Sequence, residues 1–113
     1  MPIAQSRTIK IMYSQHLCIG TIEAPTISNN ALGGTFSPTN HYKKYEQIFL
    51  SLEQAANNLL FTHADQIERK IQTLGFYATG PDNISIPIDN LQIMEGEIYF
   101  QIENQEQKDQ WQI

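Results

Sequence analysis

Residues 37–60 read SPTNHYKKYEQIFLSLEQAANNLL, and this stretch decides the fold class. Tyr42, Tyr45, Phe49, Leu52, Ala56 and Leu59 follow one another at spacings of 3, 4, 3, 4 and 3. At 3.6 residues per turn those steps hold all six side chains on one stripe of a helix. Lys43, Lys44, Glu46, Gln47, Glu53, Gln54, Asn57 and Asn58 fall largely elsewhere. Ser37 is the expected N-cap and Pro38 the expected first helical residue, because Pro has no N–H to leave unpaired there. The spacing predicts a helix of about five or six turns. A dimeric coiled-coil seam is the competing reading. The stripe spans only about three heptads without matching flanking charges, so core packing is the better expectation.

Continued further, the stripe would land on His63 and Gln66, both polar. A new phase begins with Ile67, Ile71 and Leu74. Thr62 and Asp65 resemble a capping box, so a break is expected near Phe61–His63, followed by a shorter second helix. Gly75 is placed to end it in the left-handed conformation.

Upstream, Ile9, Ile11 and Tyr13 alternate with Thr8, Lys10 and Met12, the period of a half-buried strand. Ser14, Gln15 and His16 offer a turn, and Leu17 to Glu23 resumes the alternation, giving a hairpin over residues 8–23. Gly20 marks a bulge or a close backbone approach. Residues 24–36 hold Pro25, Asn29, Asn30, Gly33 and Gly34 and read as a long loop.

Downstream, Ile84, Ile86 and Ile88 alternate with Ser85 and Pro87. Pro87 cannot donate to a ladder, so this strand is expected at an edge or bulged. Asp89–Asn90 reads as a tight turn, and residues 91–94 and 97–102 as a hairpin across Glu95–Gly96. Residues 104–113 read as a polar tail. The expected order is β-β-α-α-β-β-β, an α+β domain with two helices packed on a mainly antiparallel sheet, one domain over residues 1–113.

Composition bounds the function. The 113 residues are 41% hydrophobic and 17% charged, a globular profile in which 12 Gln and 8 Asn stand in for charge. The lone cysteine, Cys18, excludes an internal disulfide. No apolar run approaches a membrane span or a leader segment, so a cytoplasmic, bacterial-type protein is expected. The net charge of −5 is uneven. Up to Leu74 there are five acids and six bases; beyond it there are seven acids and only Lys108. Such a third repels phosphate backbones, which argues against nucleic acid, and favours a protein partner with a basic surface.

No catalytic or metal-binding pattern emerges, and no cofactor is expected. His16, His41 and His63 share no ligand spacing. Cys18 has no neighbouring base in sequence. The residues expected to bind a protein partner are Glu95, Glu97, Tyr99, Glu103 and Trp111: acids to steer the encounter and two aromatics to anchor it. A weaker expectation places a small ligand beside the 24–36 loop at Gly33, Gly34, His41 and Tyr42, ahead of a helix N-terminus. The leading expectation is a non-enzymatic protein-binding module, of the kind formed by small acidic immunity or inhibitor proteins. The alternatives are a homo-oligomeric assembly subunit, a homodimer being one form, using the long helix or an edge near Pro87, and the small-molecule binder.

Overall fold

The computed structural model describes residues 8–13, 17–23, 25–28, 30–80 and 84–102. In chain order the elements are β1 (Ile9–Tyr13), β2 (Leu17–Ile22), β3 (Thr26–Ser28), β4 (Ala31–Pro38), a 3-10 turn (Asn40–Tyr42), α1 (Lys43–Asn57), α2 (Phe61–Leu74), β5 (Tyr77–Thr79), β6 (Ser85–Met94) and β7 (Glu97–Ile102). The fold is α+β, but its strands close into a barrel instead of forming an open sheet under two helices.

Closure follows from the pairings. Strand β1 pairs with β2 and β5, β5 with β6, β6 with β7, β7 with β4, and β4 with β2, all antiparallel. Strand β3 continues β2 along the same flank of β4: Gly20–Ile22 face Phe36–Pro38, and Thr26–Ser28 face Ala31–Gly33. The ring therefore has six strand positions, one shared by β2 and β3. Two meanders, one before the helices and one after, are sewn together along β1–β5 and β4–β7.

The 24–36 stretch is a β3–β4 hairpin, not a loop. Its glycines hid the strand. Leu32 and Phe36 face the core with Gly34 between them, so the inward row lacks the apolar side chain that would reveal a period of two. Ser37 and Pro38 end β4 and do not start the helix. The cap is Thr39, whose Oγ1 accepts from the His41 N–H at 3.3 Å. The same hydroxyl donates to the Cys18 carbonyl at 2.6 Å, and the Thr39 N–H donates to the Ile19 carbonyl at 2.9 Å. One residue thus starts the 3-10 turn that leads into α1 and ties it to β2.

The helical stripe holds through Tyr42, Tyr45, Phe49 and Leu52, all buried. It then ends on Ala55, with Ala56 half-buried and Leu59 exposed. Helix α1 stops in a Schellman arrangement: the Leu60 N–H donates to the Ala55 carbonyl at 2.8 Å and the Leu59 N–H to the Ala56 carbonyl at 3.1 Å. Leu59 takes the left-handed position, φ 58°, which is usually left to glycine. The break therefore comes before Phe61, and Thr62 lies inside α2 and does not cap it. Gly75 ends α2 in the left-handed conformation, φ 78°, as expected.

Strand β6 is one element where a strand and a turn were expected. At Asp89–Asn90 it bulges, with Asn90 at φ 53°. The extra residue resets the alternation, so Ile86 and Ile88 before it and Leu91 and Ile93 after it all face inward. Pro87 is not on an edge: its strand pairs with β5 over Ser85–Pro87 and with β7 from Ile88 onward. Pro87 stands opposite Tyr77 in β5, one residue beyond the last described β6–β7 pair. Strand β5, three residues long, is too short to show a period in sequence.

Both helices lie against β6. Phe49 and Phe100 are the largest fully buried side chains. A run of rings joins the layers: Phe36–Tyr42 at 5.1 Å, Tyr42–Phe49 at 6.0 Å, Phe49–Phe76 at 5.8 Å, Tyr45–Phe76 at 5.3 Å and Tyr13–Tyr45 at 5.0 Å between centroids. Such pairs contribute about 0.5–1.5 kcal/mol each beyond their buried area.

Two stability measurements follow. A β-carbon on Gly20 would overlap the Phe36 ring, and the Ser37 carbonyl lies 2.8 Å from where it would sit. Gly20→Ala should therefore destabilise by about 1–3 kcal/mol. A urea midpoint equal to wild type would contradict this packing. Leu59→Gly relieves a left-handed leucine and should raise stability by about 0.5–1 kcal/mol. A lowered midpoint would mean that the Leu59 side chain contributes more than its backbone costs.

Candidate functional site

The outer face of β4, β7 and β6 is the first candidate surface. Tyr99 stands on it, 53% exposed, opposite Gly33 in β4 and Gln92 in β6. A β-carbon on Gly33 would meet the Tyr99 ring at 2.6 Å, so glycine lets the ring lie down on the strand. Glu97 and Gln101 flank Tyr99 along β7 and are exposed, as is Thr35, the partner of Glu97 in β4. The three strands contain no lysine or arginine. The face is thus a half-exposed aromatic in an acidic and amide setting.

A groove adjoins it across the β6–β7 turn. It holds about 330 Å³ between α1 and the ends of β4 and β6. Phe36, Tyr42, Leu50 and Ile93 form its apolar surface. Glu46, Glu53 and Glu95 line it as well, and no lysine or arginine does among the described residues. Tyr42, Glu46, Leu50 and Glu53 come from one side of the helical segment because their spacings are 4, 4 and 3. Glu95 and Gly96 form the two-residue turn, φ 52° and 79°, the sign pattern of a type I′ hairpin. The Glu53 Oε1 accepts the Glu95 N–H at 3.2 Å and so ties this turn to α1.

The two sets of residues singled out in sequence thus converge in part. Glu95, Glu97 and Tyr99 lie together at the β6–β7 hairpin, and Tyr42, assigned to the other set, lines the groove beside Glu95. Glu103 and Trp111 lie outside the described residues, as does His16. Gly33 and Gly34 sit within the β4 ladder, Gly33 under Tyr99 and Gly34 against Ile22, so no loop mouth exists there. His41 is exposed on the 3-10 turn. Leu50 and Glu46 were not singled out: a helical leucine just off the core stripe signals nothing until a second wall stands opposite it.

Two other features belong to the inventory. A wider depression of about 510 Å³ between α2 and β6 is lined mainly by Asp65, Glu68, Arg69, Gln72, Asp89 and Asn90. Within it the Gln72 Nε2 donates to the Asp89 Oδ1 at 3.0 Å. At the α1–α2 junction Leu59, Leu60 and Phe61 stand exposed at 69%, 51% and 66%, a run of three apolar residues. Among the described residues, no group of His, Cys, Asp and Glu could hold a metal ion, and no helix is long and apolar enough to cross a membrane.

Compared with protein-family models, with curated proteins and with solved structures, the chain matches none.

The groove has a titration signature. Burial, reinforced by the Glu46 and Glu53 carboxylates, pushes the Tyr42 phenol up from 10.0 to about 12. The unfolded chain ionises at the ordinary value, so rising pH favours unfolding once 10.0 is passed. Stability from this group is intact below pH 10.0 and is lost between there and about pH 12. Urea midpoints measured across that window should fall more steeply for wild type than for Tyr42→Phe. Parallel curves would show that Tyr42 is not held neutral by its site.

Proposed function

We propose that this chain is a non-enzymatic protein-binding module that covers a basic surface on its partner, as small acidic immunity and inhibitor proteins do. The observation that carries this reading is the outer face of β4, β7 and β6: three neighbouring strands without a base, with Tyr99 half-exposed at the centre. Tyrosine is enriched at interface hot spots because it presents a large rigid ring with a polar end. Glu95 and Glu97 beside it supply charge that speeds encounter with a cationic surface, while the ring supplies the contact that slows release. Barrel closure suits such a role. It leaves β4, β7 and β6 each paired on both flanks, so their outer face binds through side chains and not by adding a strand to one of them.

The test begins with a partner captured from the host and confirmed with purified components. Tyr99→Ala should weaken that complex about tenfold or more, chiefly through faster dissociation. Glu97→Lys should slow association and flatten its dependence on salt. Surface plasmon resonance at two ionic strengths reads both. Wild-type rate constants for both variants would sink the reading. A protein that remains a defined oligomer at every salt concentration, with no partner, would favour an assembly subunit instead.

A further inference from the structure

We propose that the groove between α1 and the β6–β7 turn receives a short extended segment of a partner protein that carries two basic side chains around an apolar one. This deepens the protein-binding reading and rests on it, but it uses a different surface from Tyr99.

Charge complementarity names the occupant. Three carboxylates, those of Glu46, Glu53 and Glu95, line a cleft with no lysine or arginine among the described residues. They sit at two poles. Glu46 is one; Glu53 and Glu95, joined by a hydrogen bond, are the other. Glu46 and Glu53 are seven helical residues apart, about 10 Å along the axis. An extended chain puts its first, third and fifth side chains on one face over about 13 Å, a span that flexible basic stems can close onto both poles. Between the poles the groove is apolar, with Leu50 41% exposed and facing Ile93 and Phe36 across it. Arginine and lysine fit both features, because their alkyl stems pack on apolar walls while their heads reach carboxylates.

The backbone agrees with this placement. Glu95 holds φ 52°, a region that side-chain-bearing residues rarely adopt and that Asn or Gly fills at lower cost in such turns. The turn puts Glu95 at the groove, and the Glu53 carboxylate holds the turn's backbone there through the Glu95 N–H.

The probe is the peptide acetyl-Arg-Ala-Leu-Ala-Arg-amide, which in extended form puts both arginines and the leucine on one face, titrated into the 15N-labelled protein and followed by amide shifts. Its control is the same peptide with citrulline in place of both arginines, which keeps the shape and removes the charge. Shifts should cluster on Glu46, Leu50, Glu95 and Gly96 and disappear with the control. Leu50→Lys places a cation in the groove and should weaken binding about tenfold or more. Glu46→Gln should weaken it less, and Tyr99→Ala should leave it unchanged. Absence of shifts in the groove up to millimolar peptide, equal binding of the control, or indifference to Leu50→Lys would each overturn the proposal. Shifts gathered around Tyr99 and Glu97 would also overturn it, while leaving the outer face as the binding surface. With the natural partner, loss of affinity in Tyr99→Ala but not in Leu50→Lys separates the same two cases.

Discussion

Closure of the barrel at β4 is the constraint on which the rest depends. One flank of this strand carries β3 and then β2, and the other carries β7. Remove β4 and the remaining order, β2-β1-β5-β6-β7, is one open sheet. Glycine makes the closure possible. Phe36 must lie over Gly20, Tyr99 over Gly33, and Ile22 against Gly34, and each of these approaches is tighter than a β-carbon permits. A strand that looks poor in isolation is therefore suited to its place, because the side chains missing at Gly33 and Gly34 are replaced by the Tyr99 ring of β7 and the Ile22 side chain of β2.

Once the ring is closed, the helices have one place to go. Thr39 begins the helical segment against β2, and the aromatic run from Phe36 through Tyr42 and Phe49 to Phe76 carries the packing from barrel to helix. The same anchoring creates the groove. A helix fixed at one end to β2, with Glu53 holding the β6–β7 turn farther along, leaves Glu46 and Leu50 facing the ends of β4 and β6. The candidate site is a consequence of how two layers meet.

The molecule carries left-handed, non-glycine residues at Leu59, Asn90 and Glu95. Asparagine tolerates this conformation; leucine and glutamate do so at a cost. Asn90 serves the bulge that keeps β6 facing the core. Glu95 brings a carboxylate to the groove. Leu59 starts the exposed apolar run at the helical junction, which no element among the described residues covers.

Much of this was legible in the residues. The hairpin of β1 and β2, the amphipathic stripe from Tyr42 to Leu52, the stop at Gly75 and the turn at Glu95–Gly96 are local patterns, written in periods of 3.6 or 2 and in glycine punctuation. The acidic bias of the last third and the exposed face of β7 were readable in the same way. Strand β4 was not, since its glycines, Gly33 and Gly34, make sense only beneath Tyr99 of β7 and against Ile22 of β2. Nor was the cap, because Thr39 is chosen over Ser37 by the carbonyls of Cys18 and Ile19, some twenty residues away in sequence. The groove belongs to this second kind. Residues near one another along the chain determined which faces are apolar and which are charged. Contacts between distant residues decided that Glu46, Leu50 and Glu95 share a cleft, because only closure of the barrel sets the β6–β7 turn beside α1.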